Sequence, residues 1–296
     1  KGWENRKSRV KKSVEDIASR LLVLYSRRKK ARGFAFPPDG EWQIEFEAAF
    51  PFDETEDQLA CIADVKADME KPVPMDRMIC GDVGYGKTEI ALRAAFKAVL
   101  GGKQVALLAP TTILAEQHFE TFSQRVRNFP LTIGMLSRFV PPRERRSVIR
   151  GLAEGKLDLV VGTHRLLQKD VAFRDLGLVI VDEEQRFGVK DKEKLKELKT
   201  SVDCLTLTAT PIPRTLHMSL LKLRDMSVLK TPPSNRLPIE THILEFSEET
   251  VAQAVRRELA RGGQVYYLHN RIETLDQVRL FLERLLPEAV VGTAHG

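Results

Sequence analysis

The stretch Arg77-Met78-Ile79-Cys80-Gly81-Asp82-Val83-Gly84-Tyr85-Gly86-Lys87-Thr88 decides the fold. Its last eight residues match G-x-x-x-x-G-K-[ST]. They stand between a short apolar run and a helical pattern over 87–100, which is the setting of a phosphate loop. The residue types follow from the chemistry. Glycines at 84 and 86 let backbone N–H groups approach phosphates without a Cβ in the way. The helix start adds unpaired donors and the positive end of a dipole. Lys87 reaches the outer phosphates, and the Thr88 hydroxyl can ligate Mg²⁺. Gly81, Asp82, Val83, Gly84, Tyr85, Gly86, Lys87 and Thr88 are therefore the expected wall of a nucleotide site. An ordinary Gly-rich turn leaves no reason for a Lys-Thr pair at a helix start.

Working outward, short aliphatic runs alternate with helical patterns. The runs are Arg77–Cys80, Val105–Ala109, Ile133–Leu136, Leu157–Val161, Leu178–Val181 and Cys204–Leu207. Helical stretches fall at 55–70, 87–100, 112–127, 141–154, 191–200 and 214–222. Runs without polar alternation read as strands buried on both faces, so the pattern predicts a doubly wound α/β fold with a parallel sheet. After the Pro-rich connector Thr231–Pro238 the rhythm restarts: strands at Thr241–Phe246, Val265–His269 and Val290–Thr293, helices at 248–261 and 273–286. That stretch is too short for a second complete sheet of the same kind. The expected domains are 1–36, an amphipathic helix and linker; 37–234, the nucleotide-binding domain; and 235–296, the first part of another α/β domain.

A second motif, Leu178-Val179-Ile180-Val181-Asp182-Glu183-Glu184-Gln185, runs four aliphatic residues into adjacent acids. Asp182 would hold Mg²⁺ through a water, and Glu183 would orient or polarise the attacking water. Alone, such acids often only cap the next helix. Some 95 residues beyond a phosphate loop, with strands between, the pair points to NTP hydrolysis rather than binding alone. Thr206-Leu207-Thr208-Ala209-Thr210-Pro211 is another strand running into hydroxyls, equally explained by strand-end solvation. Thr111, Thr112, Thr163 and His164 also follow strands and suit sequence-blind contacts to a phosphate backbone. His164 by itself is as readily a structural hydrogen-bonder. Phe52 and Gln58 can stack on and read an adenine edge, or be a core ring and a surface amide.

Charge locates further expectations. Residues 1–32 hold 12 Lys and Arg against 3 Asp and Glu, leaving 35 basic and 38 acidic residues for the rest. The overall charge of +6 thus belongs to the arm, and any nucleic-acid surface on the body is local. Within the arm, Val14, Ile17, Ala18, Leu21, Leu24 and Tyr25 form one stripe of a helix over 13–30. That helix is expected to dock with its charged face solvated, to bind DNA phosphates, or to relay motion to a partner domain. No apolar run approaches the ~20 residues that cross a bilayer. Cys61, Cys80 and Cys204 are too few and scattered for a disulfide framework or zinc site, so a reducing cytoplasm is the expected compartment.

The segments GDVGYGKT, APTTILAEQH, VGTHRLL, VDEEQRFGV, LTATPIPRT and VYYLHNRIETL, in this order, resemble the superfamily-two helicase-type DNA translocases. They look most like the bacterial transcription-repair coupling factors. The resemblance covers nearly the whole chain and implies a RecA-like fold and ATP with Mg²⁺ as cofactors. It implies that Phe52 and Gln58 contact adenine and that Lys87, Asp182, Glu183 and Gln185 serve hydrolysis. It also implies that Gln185 links the nucleotide to Thr208, Ala209 and Thr210, and that Thr111, Thr112, Thr163 and His164 lie toward DNA. Gln185 stands where many members have His. The implied partners are double-stranded DNA, bound without sequence preference and with salt sensitivity, and RNA polymerase and UvrA through regions outside this chain. The family's arginine finger, worth roughly 10³–10⁵ in turnover, has no counterpart before Gly296. The chain alone is therefore expected to bind ATP and hydrolyse it slowly. The competing expectations are a RecG-like fork-remodelling helicase and a catalytically idle nucleotide-binding module.

Overall fold

The computed structural model describes residues 31–209, 225–234, 236 and 239–295. The amphipathic helix over 13–30, the helix over 214–222 and Thr210 lie outside the described residues. Contacts divide the chain into two units, Lys1–Arg236 and Leu237–Gly296.

The first unit is built on a parallel sheet of β1 (Asp76–Gly81), β2 (Gln104–Leu108), β3 (Ile133–Leu136), β4 (Leu159–Gly162), β5 (Leu176–Asp182), β6 (Asp203–Thr208) and β7 (Asp225–Leu229). Their order across the sheet is β3-β4-β2-β5-β6-β1-β7. The aliphatic runs form the centre because both faces are covered: β2 and β4 are buried at every residue. Helices supply the cover. They are α1 (Glu41–Ala48), α2 (Glu56–Met69), α3 (Lys87–Leu100), α4 (Thr112–Arg125), α5 (Pro142–Glu154) and α6 (Val189–Leu198). One core gathers Ile79, Phe96, Leu107, Phe122 and Ile180; the other gathers Leu108, Leu136, Leu152, Val181 and Leu195. Two packed layers on one sheet are the doubly wound arrangement the alternating pattern predicts.

Two elements escaped the sequence pattern. α1 buries only Gln43 and Phe46, with Phe46 stacked on Phe96 at 4.1 Å between ring centres, so no apolar stripe marks it. β7 reads DMSVL, whose apolar residues are diluted by Asp225 and Ser227; Ser227 Oγ accepts a hydrogen bond from the buried Arg77 at 2.8 Å.

In the second unit the helices form, as α7 (Glu248–Ala260) and α8 (Leu275–Leu285). The expected strands Thr241–Phe246, Val265–His269 and Val290–Thr293 do not: these residues are extended or irregular, and no ladder joins them. A strand exists only through a partner for its N–H and C=O groups. Without one, Ile243, Tyr266 and Leu268 stand almost fully exposed.

Candidate functional site

Because every strand pair is parallel, all the strand carboxyl ends meet one edge of the sheet, where ligands of open α/β sheets bind. The sheet order puts the loop after β1, the small residues after β6 and the acids after β5 side by side. Only β6 separates β1 from β5, so the phosphate loop and Asp182 stand two strand spacings, about 10 Å, apart.

In the phosphate loop, Gly84 and Gly86 have φ of +82° and +81°. Gly86 is also sterically fixed, since a Cβ there would lie 2.3 Å from Gln58 Nε2. α3 starts at Lys87 with Gly86 as its N-cap, whose carbonyl accepts from Glu89 N at 3.0 Å. Lys87 Nζ donates to the carbonyls of Gly81 at 2.6 Å and Asp82 at 2.9 Å, folding the side chain across the loop. Burial pulls the Lys87 ammonium below its ordinary pKa, while Glu183, Asp182 and Asp82 pull it back up.

Gln58 joins the loop to the segment before it. Its Oε1 accepts from Thr55 N at 2.9 Å and its own N–H donates to Thr55 Oγ1, a capping box that starts α2. Its Nε2 donates to Tyr85 O at 2.9 Å. The amide is thus buried and held against the loop, not on a helix surface. Phe52 is 58% exposed, edge-on to Phe50, so it is a ring on the surface beside this segment and not a core residue.

The three successive acids turn three ways. Asp182 Oδ2 meets His118 Nε2 at 2.9 Å. Glu183 Oε1 accepts from Ala209 N at 2.8 Å, and its Oε2 takes the Thr208 hydroxyl at 3.5 Å. Glu184 is bound by Lys199 Nζ at 2.8 Å. Glu183 has φ +49°, the only positive φ among described non-glycine residues, and its N–H donates to Leu207 O at 2.9 Å. Backbone held off its preferred region clusters at functional sites. Gln185 Nε2 donates to Glu183 Oε2. Glu183 in turn takes the Thr208 hydroxyl and the Ala209 N–H, so Gln185 and 208–209 share one carboxylate.

His118 was not among the expected site residues. It lies 64 positions before Asp182, buried on α4, and only the adjacency of β2 and β5 brings the two together. Its sole advance signal is its place six residues into a helix that opens at a strand's carboxyl end. On the other flank, Thr111 Oγ1 accepts from Leu114 N at 3.2 Å as the N-cap of α4. Thr112 is half-buried. Thr163 is buried, with its N–H 3.4 Å from Leu136 O, while His164 is exposed at the head of a 3₁₀ turn, His164–Leu167. The strands β2 and β4 are neighbours, so these four residues form one patch beside the acids. A groove of about 620 Å³ lies elsewhere, along the free side of β3 between α4 and α5.

Among the described residues no three His, Cys, Asp or Glu side chains gather into a metal cage. Mg²⁺ is held by one or two protein oxygens and completed by phosphates and water, a set that the hydroxyl of Thr88 and the carboxylate of Asp182 could supply. Among those residues, too, no helix is long and apolar enough to cross a membrane.

Comparison with known proteins fits this geometry. The chain is 58% identical over 294 residues, 99% of its length, to the transcription-repair-coupling factor of Bacillus subtilis (strain 168), and 57% identical to that of Mycobacterium tuberculosis (strain CDC 1551 / Oshkosh). It spans about a quarter of the length of these relatives. Among solved structures, RecG bound to a three-way DNA junction matches 94% of this chain and 38% of RecG, with a TM-score of 0.76 and 31% identity. The first unit is a RecA-like helicase fold. The DEAD/DEAH box helicase profile matches residues 55–219, from the cap of α2 past the end of β6. The chain belongs to the DEAD/DEAH box helicase family.

Proposed function

We propose that this chain carries the ATP-binding motor of a double-stranded DNA translocase acting in transcription-coupled repair. The reading rests on one observation above the rest: the phosphate loop after β1 and the acids after β5 meet at one edge of the sheet with only β6 between them, and Ala209 at the end of β6 anchors Glu183. A loop that binds anions beside paired carboxylates is built to cleave a phosphoanhydride, since binding alone would avoid that repulsion.

Each residue then has a task. Backbone N–H groups from Gly84 to Thr88 and the Lys87 ammonium take the phosphates. Thr88 and Asp182 are the oxygens that would hold Mg²⁺, which on binding offsets phosphate charge. His118 orients Asp182, and Glu183, fixed by Ala209 N–H, accepts the proton of the attacking water. Phe52 and Gln58 flank the purine. Thr111, Thr112, Thr163 and His164 face the DNA backbone, and Thr208–Ala209 couple the two halves through Glu183.

Transcription-coupled repair, with displacement of a stalled RNA polymerase and recruitment of UvrA through other parts of the whole protein, is favoured by 58% identity across 99% of the chain. Fork remodelling is the second reading, favoured by the RecG likeness at 31% identity. The full-length protein, given a stalled polymerase on one template and a model fork on another, decides between them. Displacement of polymerase with ATP, and no fork regression, is the expected result; the reverse pattern replaces the first reading with the second.

A further inference from the structure

The phosphate loop contains a residue that works against its own purpose. Asp82 places a carboxylate on the crown of a loop that gathers N–H groups and Lys87 for a polyanion. Its Oδ1 accepts the N–H of Val83 at 2.8 Å, which fixes the carboxylate at the loop. The counter-charge comes from 154 residues further on: Arg236 Nη2 donates to Asp82 Oδ2 at 2.8 Å. The same guanidinium lies over the Tyr85 ring, with Cζ 4.7 Å from its centre. A Cβ on Gly84 would be 3.8 Å from Arg236 Cδ and Nε, so the side chain runs along the loop. Asp82 is held below the usual carboxylate range first by Arg236 and then by the Val83 N–H.

Arg236 is not a stray surface residue. Its N–H donates to Pro233 O at 3.0 Å, closing a turn. The start of the same connector is bound at the purine side: Asp57 Oδ2 accepts the N–H of both Lys230 and Thr231 at 2.8 Å. Asp57 adjoins Gln58, and Gln58 holds Tyr85. The connector 230–236 is thus tied to the nucleotide site at both ends, by a carboxylate beside the purine reader and by an arginine on the phosphate loop.

We propose that Arg236 is a positioning residue for the nucleoside triphosphate, cancelling the charge of Asp82 and holding Tyr85 flat so that the loop presents a net positive wall to the phosphates. The inference rests on the reading that this loop binds ATP. It makes the affinity of the loop depend on a residue in the connector, and it makes that dependence grow with the charge of the ligand. Both side chains keep water contact, 59% for Asp82 and 26% for Arg236, so the effect is a screened one.

The test uses the full-length protein and fluorescent analogues of ATP, ADP and adenosine in equilibrium titrations. Arg236→Ala is expected to weaken ATP about tenfold, as one uncompensated charge near a polyanion at intermediate dielectric does. ADP is expected to weaken less and adenosine not at all. Asp82→Asn in the same protein removes the exposed carboxylate, and the double variant is expected to recover ATP affinity to within about twofold of the parent. Arg236→Lys keeps the charge and is expected to retain most of the affinity. Equal weakening of all three ligands, tighter ATP binding by Arg236→Ala, or a double variant as weak as the single one would overturn the proposal. A parent protein that binds no ATP overturns the reading beneath it, whereas a parent that binds ATP with an indifferent Arg236→Ala overturns this inference alone. Thermal melting of each variant separates loss of affinity from loss of fold.

Discussion

The two halves of the sheet's carboxyl edge are built differently. On the side of β5, β6 and β1, charged side chains are locked by partners far away in sequence: His118 on Asp182, Ala209 on Glu183, Arg236 on Asp82. On the side of β2 and β4, the candidates are Thr111, Thr112, Thr163 and His164, where Thr111 makes a helix cap and Thr163 a backbone contact to the adjacent strand. The difference is the one the proposed ligands, a nucleotide on one side and DNA on the other, would require. A phosphoanhydride must be met by a few charges held in place, because transition-state stabilisation depends on preorganised groups. A sequence-blind grip on a polymer that must be released repeatedly needs small neutral donors, and ones whose geometry comes free with strand ends and helix starts.

The largest expected effect breaks the charged half at its centre. Glu183→Gln keeps an oxygen to accept the Ala209 N–H, so the turn should survive while the proton acceptor is lost. ATP turnover in the full-length protein on DNA is expected to fall by about 10²–10⁴-fold. ATP affinity should stay within a small factor, as read by equilibrium titration. Unchanged turnover would mean that another group takes the proton, and that Glu183 only anchors 208–209.

Gly86→Ala attacks the same half through the backbone. A Cβ there meets Gln58 Nε2 at 2.3 Å and must adopt φ +81°. The strain is expected to cost about 1–3 kcal/mol of stability. It should also separate Gln58 from Tyr85 and abolish tight ATP binding. Denaturant melts together with nucleotide titration check both arms. A stable variant with normal ATP affinity would show that the purine reader and the loop are independent.

How far the sequence could be read tracks the same divide between local and distant. The phosphate loop is legible because its chemistry lies in eight consecutive residues, with Gly86, Lys87 and Thr88 each called for by the backbone path or by phosphate. The central strands are legible because burial on both faces favours aliphatic residues, as in LVVG of β4 and LGLVIVD of β5. The acids at 182–184 could be recognised as a motif, but their separate directions could not: Glu184 goes to Lys199 because of how α6 packs, which no spacing encodes. His118 and Arg236 stayed hidden for the same reason, each meeting its partner only through strand order. Gln58 was ambiguous until the fold placed Tyr85 O against it. The expected strands after residue 240 failed in the opposite way. Their local pattern is sound, but pairing is a property of two segments and the pattern of one cannot supply it.

His118→Ala sharpens the comparison at the boundary between the halves. α4 begins in the polymer patch at Thr111 and carries His118 to Asp182 within two turns. Partners that orient a metal's carboxylate are worth 10–100-fold, and loss of this one is expected to slow hydrolysis by about tenfold. ATP binding without Mg²⁺ should be unchanged. An equal loss with and without Mg²⁺ would make His118 a packing residue of α4, not an orienting one.

The smallest effects belong to the polymer half, and their pattern matters more than their size. Thr111 has a structural job as well as a proposed DNA contact, whereas His164 is exposed at the start of its 3₁₀ turn. Thr111→Ala should therefore cost about 1 kcal/mol of stability as a lost N-cap, and His164→Ala should leave the melting curve in place. Each is expected to weaken duplex DNA by about fivefold, one net hydrogen bond, and equally for all sequences. Neutral donors release no counterions, so the slope of log affinity against log salt should hold for Thr111→Ala. A slope for His164→Ala that falls by about 0.9 would mean that the imidazole binds phosphate as a cation. In that case the contrast between a charged half and a neutral half would have to be redrawn with His164 on the charged side.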